Sequence, residues 1–255
     1  MTVESEDGTP IAYDRQGDGP PLILVGGGAT DRSENAPLAA ELAALFTVFN
    51  YDRRGRGASG DTQPYALERE IEDLEALIGE AGGSAFLHGV SSGGALVLEA
   101  VAAGVSAPRL AVYEVPYQLD DDAPRRHAEY VAEVEALLAE NRRGDAFARF
   151  MRLAGSSEEG IAAARSSPVW PDCEAIAHTL VYDAACLGDA RPPTERLATI
   201  TQPTLVANGA TEFFHSAAEA IAASVPNAQR RVLEDQGHVA DPKAMAAVLT
   251  RFFGA

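Results

Sequence analysis

Residues 84–101, Ser-Ala-Phe-Leu-His-Gly-Val-Ser-Ser-Gly-Gly-Ala-Leu-Val-Leu-Glu-Ala-Val, decide the fold. The opening residues Ser84 to His88 read as a short buried strand and Gly94 to Val101 as a helix, with Gly89-Val90-Ser91-Ser92-Gly93 between them. A G-x-S-x-G at such a junction puts its serine on a sharp strand-to-helix turn. The flanking glycines are required because a Cβ at either position would collide with the neighbouring strand or helix. Ser91 is therefore a candidate nucleophile. The competing reading is a glycine-rich turn with an incidental serine, and the rest of the chain separates the two.

The chain has 255 residues, 46% of them hydrophobic, which is enough for a sizeable core. No low-complexity linker interrupts it, so a single domain is expected. The formal net charge of −18 repels nucleic acid and anionic membrane surfaces. The one basic tract, Arg53-Arg54-Gly55-Arg56, has a plain explanation as a strand-to-helix loop whose arginines pair with nearby carboxylates. The acidic start, Met1 to Asp7, has neither the basic nor the apolar region of a signal peptide, and no run approaches transmembrane length. Cys173 and Cys186 fall in no C-x-x-C or metal-ligand spacing, which fits a reduced, cytoplasmic protein with two buried thiols. Lys243 is the sole lysine and lies in an expected exposed helix, which argues against Schiff-base chemistry. No metal or other cofactor is expected, and neither nucleic acid nor membrane; the expected partner is a small-molecule substrate.

Alternation in residues 2–6 and 11–15, joined by Asp7-Gly8, predicts an opening hairpin. Short apolar runs follow at 21–25, 46–51, 85–88, 110–115, 204–207 and 231–233, most of them separated by helical patterns. Continuous apolar runs mark strands buried on both faces, so a mostly parallel sheet with helices on both sides is expected. Between residues 118 and 196 the alternation gives way to helices at 123–141, 145–153, 158–166 and 172–187. Ligands of such sheets bind beyond the carboxyl ends of the strands, where a helical insertion would act as a lid. Phe147, Phe150, Met151, Val169 and Trp170 are candidates to line its underside, or else to hold the insertion together.

Further motifs join the serine turn. Asp52-Arg53-Arg54-Gly55-Arg56-Gly57-Ala58-Ser59 looks like a D-x-R-G-x-G-x-S loop, and Gln236-Gly237-His238 looks like a catalytic histidine following the last strand. On these motifs the chain resembles the α/β-hydrolase fold family over essentially its full length. The resemblance implies an α/β fold with an eight-stranded sheet, a core formed by residues 1–117 and 197–255, and a helical cap at 118–196 between strands six and seven. It also implies a triad in the chain order serine, acid, histidine.

A serine hydroxyl needs a base within hydrogen-bond reach, and the base needs a partner that fixes its tautomer. His238 is the base that the fold brings over Ser91. His88 adjoins the turn but is expected to make a structural hydrogen bond, and His127, His178 and His215 to be surface or lining residues. Two acids compete. Glu212 occupies the family's usual position after strand seven, whereas Glu114 ends strand six, as in certain haloalkane dehalogenases, and is slightly preferred. The oxyanion donors are expected to be the N–H of Ser92 and one from Gly26-Gly27-Gly28-Ala29, with Gly28 preferred and Gly27 possible. The family's usual histidine in that loop is replaced by Gly26, from which a more flexible loop is expected.

The expected function is hydrolysis of an ester, thioester or lactone of a small, largely uncharged molecule through an acyl-enzyme on Ser91. Trp170, Phe147 and Met151 are the candidate substrate-binding residues. Acyl transfer or cyclisation on the same triad is the alternative, and a non-catalytic ligand-binding protein of the same fold is the third reading.

Overall fold

Strands buried on both faces pair side by side because each presents apolar side chains above and below in alternation. In the computed structural model, which describes residues 1–254, eight strands form one sheet. They are β1 (Thr2–Glu4), β2 (Pro10–Gln16), β3 (Pro21–Val25), β4 (Thr47–Tyr51), β5 (Phe86–Val90), β6 (Leu110–Tyr113), β7 (Thr204–Asn208) and β8 (Ala228–Val232). Their order is β1-β2-β4-β3-β5-β6-β7-β8. Strand β2 runs antiparallel to β1 and β4, and β3 to β8 pair in parallel.

The helices are α1 (Ala36–Leu42), α2 (Leu67–Glu80), α3 (Ser92–Ala102), α4 (Ala123–Ala139), α5 (Arg143–Leu153), α6 (Glu158–Arg165), α7 (Trp170–Ile176), α8 (Leu180–Cys186), α9 (Thr194–Leu197), α10 (Glu212–Ser224) and α11 (Pro242–Phe253). Alternation along the strands divides the core in two. Ile23, Val25, Leu87 and Val112 pack with Leu74 and Leu77 of α2, Leu96 of α3 and Ile221 of α10. Leu22, Leu24, Val48 and Ala111 pack on the other face with Leu38 and Leu42 of α1 and with Met245, Leu249 and Phe253 of α11. Helices thus cover both faces, as the apolar runs predict.

Two boundaries differ from expectation. The last strand is residues 228–232, not 231–233, and its middle residues Gln229, Arg230 and Arg231 are exposed. It is the sheet's edge, so it lacks the continuous apolar run that marks a strand buried on both faces. The helix expected at 172–187 is instead α7 and α8, separated by a 3₁₀ turn at Ala177–Thr179. There the Thr179 hydroxyl donates to the Ile176 carbonyl at 2.8 Å, a local bond of the kind that competes with a continuous helix.

Between β6 and β7 the chain runs through α4 to α9. These helices carry their own apolar cluster, in which Tyr130, Val134, Phe147, Ile161, Trp170 and Leu180 are buried. No helix among the described residues is long and apolar enough to cross a membrane.

Candidate active site

The turn between β5 and α3 places Ser91 at φ 54, ψ −125, a left-handed backbone that a side-chain-bearing residue keeps only when its surroundings dictate it. Those surroundings are glycines. A Cβ on Gly89 would lie 2.4 Å from the Gly93 carbonyl oxygen, and one on Gly93 would lie 2.3 Å from that of Gly26. The strand, the helix and the loop after β3 therefore meet closely, and Ser91 stands half-buried just past the carboxyl end of β5. The Ser91 amide continues the ladder by donating to the Tyr113 carbonyl at 2.9 Å.

One strand over, Glu114 follows β6 with φ 49. Its side chain is fully buried, and burying a carboxylate costs several kcal/mol unless donors receive it. Both oxygens are met. Oε2 lies 2.7 Å from His238 Nδ1, and Oε1 accepts the Gly209 amide at 2.8 Å. Gly209 has to be glycine for this, since a Cβ there would stand 2.8 Å from Glu114 Oε1 and 2.3 Å from the Gln236 carbonyl oxygen. His238 sits in the loop between β8 and α11, with 47% of its side chain exposed. Its ring stacks on Phe214 of α10, centroids 5.0 Å apart and 9° from parallel. The Tyr113 hydroxyl donates to the Gly237 carbonyl at 2.6 Å and ties down the residue before it.

Glu212, the other candidate acid, begins α10 with 93% of its side chain exposed, and among the described residues the one basic side chain within 4 Å is His215, whose Nδ1 lies 3.9 Å away. His215 and His127 are each held by a backbone carbonyl, of Gly209 at 3.1 Å and Ala184 at 3.2 Å, and His178 lies 3.3 Å from Asp61. His88 is buried in β5, where its Nδ1 donates to the Ala111 carbonyl at 3.2 Å and its Nε2 has no partner. Burial pushes its pKa down to about 4 from 6.5, against the favourable Ala111 bond. A base held neutral in the folded state but free to protonate in the unfolded one lowers stability as pH falls between those two values. Denaturation midpoints should therefore drop from pH 6.5 to pH 4, with His88 contributing up to about 1.4 kcal/mol per pH unit. Burial lowers His127 and His178 as well, in the same sense. His88→Asn should flatten this part of the profile, and parallel profiles for the two proteins would rule His88 out as its source.

The glycine loop after β3 lies over the turn. A Cβ on Gly27 would approach the Ser91 Cβ to 3.3 Å, and one on Gly28 would approach the Ser92 Oγ to 3.5 Å. Hydrogen bonds restrain the loop in which flexibility is expected from Gly26. Arg56 Nη1 and the Thr30 hydroxyl donate to the Gly27 carbonyl at 2.7 and 3.2 Å, and the Ala29 amide donates to Asp183 Oδ2 at 3.1 Å. Among the described residues, nothing takes the amide N–H of Gly27, Gly28 or Ser92. The N–H groups of Ser92 and of the loop glycines Gly27 and Gly28 thus stand without a protein acceptor near Ser91.

The arginines of the loop after β4 pair with carboxylates, as their sequence context suggests. Arg54 forms a two-bond pair with Asp73 and a third bond to Asp7. Arg53 does the same with Glu70 and reaches Asp183, which also takes Arg56. Burial works to raise the Asp183 pKa, but the adjacent Arg56 and Arg53 cations outweigh it and hold the carboxyl below its usual range.

Phe147 and Trp170 are buried in the cluster of the inserted helices, edge to face at 5.7 Å, with Trp170 Nε1 donating to Glu174 at 3.0 Å. Met151 and Ala29 pack at the margin of that cluster, which thereby reaches the glycine loop. Cys186 is buried and Cys173 half-buried, and both are free. Phe214, Gly209, Tyr113 and Asp183 escape sequence reasoning as site residues. Only Asp183 carries a signal, as a lone carboxylate inside the apolar run Leu180 to Cys186.

Comparison with known proteins agrees with this fold. A solved α/β hydrolase from Sphaerobacter thermophilus is 50% identical, with a TM-score of 0.91 over 99% of this chain and all of that one. An esterase from Thermogutta terrifontis shares the fold at 24% identity, with a TM-score of 0.72 over all of this chain and 97% of its own. The uncharacterized hydrolase YraK of Bacillus subtilis is 33% identical over 96 residues, which are 36% of this chain and 35% of that protein's length. The model of the alpha/beta hydrolase family matches residues 22–248, from β3 into α11, and the chain belongs to that family.

Proposed function

We propose that the protein is a serine hydrolase that cleaves an ester, thioester or lactone of a small, largely uncharged molecule through an acyl-enzyme on Ser91. The observation that carries this reading is the buried Glu114 carboxylate 2.7 Å from His238 Nδ1, on the strand beside the turn that presents Ser91. Glu114 keeps the His238 proton on Nδ1, so Nε2 is the free base that takes the Ser91 proton as the hydroxyl attacks the carbonyl. The oxyanion rests on the N–H groups of Gly28 and Ser92, and His238 returns its proton to the leaving group. His238 next takes a proton from water as it attacks the acyl carbonyl, and returns that proton to the Ser91 oxygen as the acid leaves. Glu212 has no part in this scheme.

Residues 118–196 serve as the cap, and the cluster containing Phe147, Met151 and Trp170, which abuts Ala29, forms the apolar wall of the acyl site. The two free thiols fit a reducing compartment, and the cytoplasm is the proposed location. The test is turnover of a short-chain p-nitrophenyl ester, together with intact-mass and peptide mapping after treatment with a fluorophosphonate. Esterase activity and a single adduct on Ser91 are expected. A folded protein that neither turns over nor labels would remove the hydrolase reading.

A further inference from the structure

Asp183 lies on α8, far along the chain from the triad, and all of its polar contacts lead to the proposed oxyanion site. Its Oδ2 accepts the Ala29 amide at 3.1 Å; its Oδ1 accepts the Ser92 hydroxyl at 2.8 Å, Arg53 Nη1 at 2.8 Å and Arg56 Nη2 at 2.6 Å. The same Arg56 guanidinium gives its other terminal nitrogen to the Gly27 carbonyl at 2.7 Å. That carbonyl and the Gly28 N–H belong to one planar trans peptide, in which C=O and N–H point in opposite directions. Holding the Gly27 oxygen therefore sets the direction of the Gly28 N–H, and a charged donor on the oxygen polarises the amide towards stronger donation. The next peptide is fixed as well, through its Ala29 N–H. Two successive peptide planes of a loop that begins with three glycines are thus held by one carboxylate and the guanidinium it carries.

The cluster is buried and close to neutral. Arg53, Arg56, Asp183 and Glu70 are all buried, two cations against two anions, so Asp183 brings no uncompensated negative charge to a site meant to hold an oxyanion. Helix α8 is fastened at this point by its other residues: Tyr182 stacks on Tyr65 with centroids 3.8 Å apart, and Cys186 Sγ lies 3.2 Å from Arg53 Nη2.

We propose that Asp183 is a positioning residue for the oxyanion site, acting through Arg56 and the Ala29 amide to aim the Gly28 N–H, so that the inserted helices complete the catalytic machinery as well as covering it. The inference rests on the serine-hydrolase reading. Asparagine at 183 has one acceptor oxygen and must turn its NH₂ either towards Arg53 and Arg56 or towards the Ala29 N–H, so one of the two restraints is lost. Arg56→Lys is the gentler variant, because it keeps the cation but replaces two separate terminal nitrogens, one on Asp183 and one on the Gly27 carbonyl, with a single one, and loses the rigid fork that fixes the carbonyl.

The test compares wild type, D183N and R56K on a p-nitrophenyl ester at a temperature where circular dichroism shows each to be folded. It adds binding of a trifluoromethyl ketone, which forms a tetrahedral adduct on the serine. Both variants should lose kcat by about 10- to 100-fold with little change in KM, and ketone affinity should fall by the same factor as kcat/KM. A purely structural role would lower the melting temperature and leave kcat of the folded protein intact. Folded variants with wild-type kcat, or a loss confined to KM, would overturn the proposal; if D183N does not fold, R56K alone decides it. A wild type that neither turns over nor labels overturns the hydrolase reading and this proposal with it, whereas an active wild type beside equally active variants overturns only the proposal.

Discussion

Ser91→Ala is expected to lower kcat on an activated ester by roughly 10⁶-fold, the scale on which the loss of a triad serine is felt when serine and histidine act as a unit. The substitution removes one oxygen and nothing else. Ser91 keeps its Cβ and its φ of 54 in the alanine variant, because the turn is shaped by the approach of Gly89 and Gly93 to their neighbours and the serine side chain caps no helix. The melting temperature should therefore be unchanged, and the fluorophosphonate adduct should disappear together with turnover. Residual hydrolysis about 10³- to 10⁴-fold above water is compatible with the scheme, since the N–H groups beside Ser91 and binding alone supply that much in comparable sites. Activity within tenfold of wild type in the variant would mean that some other group attacks the ester.

The parts of this site that the sequence reveals are those where one residue type answers one geometric demand. Gly89 and Gly93 are glycine because carbonyl oxygens lie within 2.4 Å of where a Cβ would be, so the spacing around Ser91 is visible without coordinates. The apolar runs of β3 to β7 are visible for a similar reason: strands covered on both faces have few positions for a polar side chain. Strand β8, at the sheet edge with three exposed residues in its middle, has no such constraint and begins three residues before the expected start. The acid is harder. A glutamate at the end of a strand and a glutamate at the start of a helix look alike in sequence, and what separates them is burial, which Gly209 and His238 provide from elements about a hundred residues away. Phe214 is invisible for the same reason, and Asp183 shows only as a lone carboxylate in an apolar run, since each touches the site only through long-range packing.

Glu114→Gln should lower kcat by about 10⁴-fold, while Glu212→Gln leaves it at the wild-type level. The direction follows from the partner on the other side of Glu114. The Gly209 amide donates to Oε1 at 2.8 Å, so a glutamine at 114 keeps its carbonyl oxygen there and turns its NH₂ towards His238 Nδ1. Facing a donor, Nδ1 must accept, the imidazole proton moves to Nε2, and the ring can no longer take the Ser91 proton. The opposite rotamer would restore the histidine tautomer but set two donors against each other at Gly209, inside a pocket where the Glu114 side chain has no exposure to water. Because the shape is preserved, KM and the melting temperature should move far less than kcat, and the loss should not be recovered by raising the substrate concentration. Glu212 is 93% exposed and contacts neither His238 nor Ser91, so its amide variant is the matched control. Wild-type turnover in Glu114→Gln combined with its collapse in Glu212→Gln would transfer the acid to α10 and require the loop after β7 to close on His238.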